Sequence, residues 1–170
     1  TVTLPATLLL LEYLQQKKVK GTSFLRIIPF LIPGIAMGSI AIYMEANRAG
    51  AVGEEFSFSM LQRMLVASRA FLFYPVKIIF PFKLCFIYPK WEIDATRIWN
   101  YWPLLILSLI TLTLWKLRKK IPCIIWFFLG FYLVSLAPAS GIISFYFMRY
   151  AFVQNHFQYI AGLGIMAIMG

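Results

Sequence analysis

The feature that most constrains this chain is a succession of apolar runs, several close to bilayer length, punctuated by compact basic clusters. The run from Trp99 to Leu117 is followed at once by Arg118, Lys119 and Lys120 and carries Lys116 in its last turn; another, from Ile27 to Met44, begins after Arg26. A bilayer core needs roughly 20 apolar residues of helix, and Lys and Arg gather on the cytoplasmic side of such spans. This pattern predicts an all-α integral membrane protein: a fragment of a multi-span helical bundle with an external interfacial or re-entrant helix.

Composition excludes the main alternative. The chain is 61% hydrophobic and 13% charged, whereas soluble domains are about 45–50% apolar. Its 16 Lys and Arg against 6 Asp and Glu give a formal charge of +10, which raises nucleic acid as a partner. No basic stripe falls on a soluble element, and span-flanking clusters account for the excess. The expected partner is therefore the lipid bilayer and not nucleic acid.

The spans are expected at 1–14, 27–44, 99–117, 121–139 and 156–170, all in one partial polytopic domain covering 1–170. The first and last are shorter than a bilayer requires, so the chain is expected to be a piece of a longer protein, cut within or near membrane helices. Lys17, Lys18 and Lys20 assign the first span's end to the cytoplasm. In the second, Pro33 predicts a kink near Gly34, and the Gly34–Gly38 spacing is read as helix packing. Glu45, Glu54 and Glu55 fall in a solvated loop with nothing nearby to complete a metal site. The segment 57–82 is apolar but holds Arg63, Arg69 and Lys77 and is interrupted by Pro75. Since 27–44 leads outward and 99–117 returns inward, one more crossing would break the parity. The segment is therefore expected to lie on the external face, with its basic groups reaching lipid phosphates. Lys83 to Trp91 would run over the outside in the headgroup layer. Cys85 then falls outside and Cys123 at the cytoplasmic edge, so no disulfide joins them.

A polar island, Phe145 to Tyr159, contains the only histidine, His156, with Arg149, Gln154, Asn155 and Gln158 among aromatic residues. With Arg69, Lys77 and Lys83 it would supply cations near the depth of lipid phosphates, and an Arg fork suits phosphate oxygens. His156, Gln158 and Tyr159 add donors, acceptors and an aromatic platform of the kind that holds a sugar. The same residues would serve equally as anchors at the membrane surface. Gly162, Gly164 and Ala167 satisfy a dinucleotide fingerprint on paper, but they lie within an apolar helix and lack the required preceding strand. There is no phosphate-binding loop, no nucleophile elbow and no Cys/His metal pattern. No metal or cofactor is expected.

Three stretches carry a resemblance. TVTLPATLLLLEYL, RAFLFYPVKIIFPFKLCFIYPKWEID and FMRYAFVQNHFQYIAGLG together resemble the membrane part of bacterial tetratricopeptide-repeat membrane proteins. These are relatives of the eukaryotic transmembrane and tetratricopeptide-repeat O-mannosyltransferases, with the fold of the C-type glycosyltransferases. The resemblance implies a bacterial inner (plasma) membrane protein that transfers sugar from a polyprenyl-phosphate donor to a protein acceptor on the external face. It implies an essential acidic residue in an external loop upstream of Thr1 and repeats after Gly170. Arg69, Lys77, Arg149, Asn155, His156, Gln158 and Tyr159 become candidates for binding the lipid phosphate or sugar, and the catalytic residues are not assigned. Where the family commonly reads VADHFQYL, this chain has Asn155 in place of the Asp. The competing expectation is a non-enzymatic membrane anchor or scaffold for a tetratricopeptide-repeat domain.

Overall fold

The computed structural model describes residues 3–16, 21–47, 58–142 and 146–170. The basic cluster Lys17, Lys18 and Lys20 and the acidic pair Glu54 and Glu55 lie outside them, as do Ser144 and Phe145. The described chain is all-helical, 76% helix with no strands. Its α-helices are α1 (Leu4–Gln16), α2 (Gly21–Asn47), α3 (Met60–Ile79), α4 (Trp102–Leu117), α5 (Cys123–Leu136) and α6 (Gln158–Met169). Short 3-10 turns at Ile98–Tyr101, Ala137–Ala139, Tyr146–Arg149 and Asn155–Phe157 link them. The main helix contacts run in the order α2, α1, α5, α6, α3, α4.

Among the described residues two helices are long and apolar enough to cross a membrane, Phe24–Met44 and Ile98–Leu117, and only 11% and 6% of their apolar windows are buried. Cys123–Ala139 is apolar but shorter. The helix at 27–44 is wider than its apolar run and continues through Pro29 and Pro33 to Asn47. A proline inside a helix removes one intrahelical bond, and here the helical path resumes beyond each.

Helix α3 falls within the segment 57–82 expected as an external interfacial or re-entrant helix. Ser59 starts it with a reciprocal cap: its Oγ accepts from Gln62 N–H at 3.2 Å, and Gln62 Oε1 accepts from Ser59 N–H at 2.9 Å. This capping box satisfies two backbone donors at the helix start. The helix then buries Leu65, Val66, Ala67, Ser68, Ala70 and Tyr74. Ala70 and Tyr74 join Tyr88, Tyr132, Leu136, Val153 and Ala161 in the larger core cluster, while Val66 packs with Met148 and Phe152 in a smaller one. One face of this helix therefore forms the middle of the packed core.

Small residues allow α5 and α6 to approach closely. A Cβ on Gly164 would stand 2.7 Å from the backbone oxygen of Phe128, a distance no side chain accommodates without moving a helix. Gly162 meets Ile78. These glycines of the apparent dinucleotide fingerprint thus serve helix packing.

Candidate functional site

Three stretches far apart in the chain build one polar and aromatic layer: the C-terminal half of α3, the loop 80–97, and residues 151–158. The loop reverses beyond Pro81. Phe82 N–H donates to the Phe80 carbonyl at 2.8 Å, and Lys83 adopts a left-handed backbone with φ of 51°. Ile87 then pairs with Gln154 in a single antiparallel bridge. Around that bridge, Tyr88 is buried and its hydroxyl donates to Asn155 Oδ1 at 3.0 Å. Phe86 stacks on His156 with ring centres 5.6 Å apart. The loop ends in a local staple in which Asp94 Oδ1 accepts from the Thr96 N–H and hydroxyl, at 2.9 and 2.7 Å. These bonds, with Arg97 nearby, hold the Asp94 carboxyl below its ordinary value.

Tyr74 fixes the third stretch from below. Its hydroxyl donates to the Gln154 carbonyl and accepts from the Gln154 N–H, each at 3.2 Å. Burial pushes the Tyr74 phenol up, against the opposing effect of the Gln154 backbone bond. One phenol therefore satisfies both backbone groups of a fully buried residue. The Gln154 side chain is another matter: its Oε1 and Nε2 are buried and form no hydrogen bond among the described residues. Leaving such a group unsatisfied is costly.

Aromatic rings hold the cations of this layer. The Arg69 guanidinium sits 4.5 Å from the Trp91 ring centre, and burial lowers its pKa from the ordinary value. Lys77 Nζ lies 5.7 Å from Phe73 and 5.5 Å from Tyr88, and donates to the Phe82 carbonyl at 2.7 Å. Lys90 Nζ stands 5.9 Å from Phe58 and 5.6 Å from Phe152. Phe73 contacts both Tyr88 and Trp91 edge-on, at 4.8 and 5.9 Å. The Arg69 and Lys77 sites thus share one aromatic wall, and ring faces near cations are attractive.

Of the seven candidates, Arg69, Lys77, Asn155 and His156 are tied to the loop 80–97 by these contacts. Gln158 opens α6 half-buried, with Oε1 unbonded among the described residues. Tyr159 is 67% exposed, and Arg149, which closes the 3-10 turn Tyr146–Arg149, is also exposed. Sequence reasoning missed Tyr74, Tyr88, Trp91 and Lys90 as parts of this layer. The alternation of aromatic and basic residues in Tyr88–Pro89–Lys90–Trp91 is the available signal. It identified surface-loving residues without naming the helix on which they settle. Among the described residues no group of three or more His, Cys, Asp or Glu is placed to hold a metal ion.

Comparison with protein-family models, curated proteins and solved structures finds no match to this chain.

Two stretches, Arg69–Asp94 and Phe147–Gly164, account for most of this layer. Tyr88 and Asn155 are 67 residues apart, and Tyr74 and Gln154 are 80 apart. Chemically, the layer combines cations, a buried phenol–amide hydrogen bond and broad ring faces. Those groups suit an anionic head attached to a ring-shaped or apolar body.

Proposed function

We propose that the chain is the C-terminal half of a glycosyltransferase-like domain integral to a bacterial inner membrane, transferring a sugar from a polyprenyl phosphate to a protein acceptor on the external face. The observation that carries this reading is the docking of the loop 80–97 onto residues 151–158, through the Ile87–Gln154 bridge and the Tyr88–Asn155 hydrogen bond. It brings together Lys77, Asn155 and His156 from the two resembling stretches, with Arg69 on the shared aromatic wall. The length and apolarity of α2 and α4 support the membrane setting.

In this mechanism Arg69, Lys77 and Arg149 offset the negative charge that develops on the departing lipid phosphate. His156, Gln158 and Tyr159 orient the phosphate or the sugar ring. A carboxylate from outside this chain removes the acceptor proton, and the acceptor oxygen bonds to the sugar carbon as the bond to phosphate breaks, inverting that carbon. Asn155 has no carboxylate to act as the base. Its Oδ1 accepts the Tyr88 hydroxyl, an acceptor role that the family's Asp would share, so the replacement preserves the loop contact.

The test uses the full-length protein in membranes, a labelled polyprenyl-phosphate sugar and a protein acceptor. Arg149→Ala is expected to reduce transfer about 100-fold or more, the size of losing one charge-stabilising donor, at unchanged expression. Wild-type turnover by that variant removes Arg149 from the site. Absence of transfer by the wild-type protein with polyprenyl-phosphate donors contradicts the proposed activity.

A further inference from the structure

The turn leaving α3 presents a surface that the candidate site does not use. Val76, Ile79, Phe80, Phe82 and Leu84 are all large and apolar, and each is between 47% and 73% exposed. The turn is held by its own bonds. Phe80 N–H donates to the Val76 carbonyl and Phe82 N–H to the Phe80 carbonyl, both at 2.8 Å, while Lys77 Nζ binds the Phe82 carbonyl at 2.7 Å. Lys83 then takes the left-handed backbone, rare for a residue with a long side chain. Its exposed apolar groups are therefore displayed by an ordered turn.

Sequence chemistry selects the occupant. Between Glu55 and Glu92 the chain has no acidic residue, but it has Arg63, Arg69, Lys77, Lys83 and Lys90. From Arg69 to Trp91 there is also no Ser, Thr, Asn or Gln. A protein partner is ordinarily met through a polar rim with hydrogen bonds as well as an apolar centre. An anionic lipid surface asks for apolar and aromatic groups flanked by cations, which is what this stretch offers.

We propose that the turn from Val76 to Cys85 is a wedge seated at the headgroup–acyl boundary of an anionic bilayer, with Lys83 on lipid phosphates. The wedge rests on the reading of the chain as membrane-embedded and does not depend on sugar transfer.

Cys85 lies within the wedge and is exposed, so it can report directly. In a Cys123→Ser background of the full-length protein, Cys85 would carry an environment-sensitive fluorophore in phosphatidylglycerol vesicles whose acyl chains are brominated near the carbonyl. Strong quenching is expected there and weaker quenching in phosphatidylcholine vesicles brominated identically. Lys83→Gln should lower the ratio of seated to withdrawn wedge about fivefold in the anionic vesicles. A reference probe at Ser108→Cys, at the middle of α4 in a Cys85→Ser, Cys123→Ser background and read in vesicles whose acyl chains are brominated near their ends, separates the possible failures. Quenching at position 108 but not at Cys85 overturns the wedge and leaves the membrane reading intact. Quenching at neither position overturns both. Equal quenching of Cys85 in the two lipids overturns the assignment to an anionic surface.

Discussion

Helices α3 and α4 pack against one another, yet their chemistry and burial run in opposite directions. α3 carries Arg63, Arg69 and Lys77 and buries six residues, including the full Tyr74 side chain. α4 is apolar over nearly its whole length, but only 6% of its apolar window is buried within the protein. Its two threonines turn inward on their own helix, Thr111 donating to the Leu107 carbonyl and Thr113 to the Leu109 carbonyl, each at 2.8 Å. In water, exposing α4 and burying α3 would be the wrong way round. In the proposed membrane setting, lipid covers the apolar helix, and protein–protein contacts are left to the helix with polar groups to satisfy.

The strongest way to break this comparison is to disturb the packing that brings α6 against α5 and α3. Gly164→Ala introduces a Cβ 2.7 Å from the Phe128 carbonyl oxygen, and is expected to destabilise the fold by about 3 kcal/mol, read as early thermal unfolding in detergent. A wild-type melting curve would mean that the two helices stand farther apart. The next effect belongs to α4. Leu109→Asp, on an exposed position near the middle of its apolar run, should disfavour membrane insertion by about 3 kcal/mol, measured with a topology reporter fused after Lys120. Unchanged insertion would separate α4 from a lipid-facing role.

Tyr74→Phe sharpens the other side. It removes the hydroxyl that bonds both backbone groups of Gln154; the carbonyl keeps the Phe157 N–H at 3.2 Å, and a loss of about 2 kcal/mol is expected because the buried Gln154 N–H loses its side-chain partner. The smallest effect has the opposite sign. Gln154→Met replaces a buried amide that has no hydrogen-bond partner among the described residues with an apolar side chain of similar length. It should leave stability unchanged or raise it by about 1 kcal/mol. A loss comparable to that of Tyr74→Phe would reveal a bonded amide.

The contrast between α3 and α4 also explains what was legible in the sequence. The runs expected at 27–44 and 99–117 are helical over Phe24–Met44 and Ile98–Leu117, because apolar length and basic flanks are written locally. The central role of α3 was not legible. Arg63, Arg69, Lys77 and Pro75 suggest an interfacial or re-entrant helix on the external face, while its burial depends on residues that reach it only through the fold: Val153 and Ala161 in its core cluster and Gln154 through the Tyr74 bond. The polar island was visible as a cluster, and Asn155 and His156 within it meet the loop 80–97. Which loop residues they meet was not visible, since a hydrogen bond across 67 residues leaves no periodicity behind.

The most direct test of the account is binding of a polyprenyl phosphate to the full-length protein in nanodiscs, comparing wild type with Lys77→Gln and Tyr88→Phe. Lys77→Gln removes the cation beside Tyr88, and Tyr88→Phe removes only the hydroxyl that holds Asn155. Saturable wild-type binding is expected, weakened about tenfold by the loss of either group, the order of one charge-assisted or buried hydrogen bond. Wild-type affinity in both variants, or no saturable binding by the wild type, would contradict the assignment of this layer to a lipid-phosphate donor.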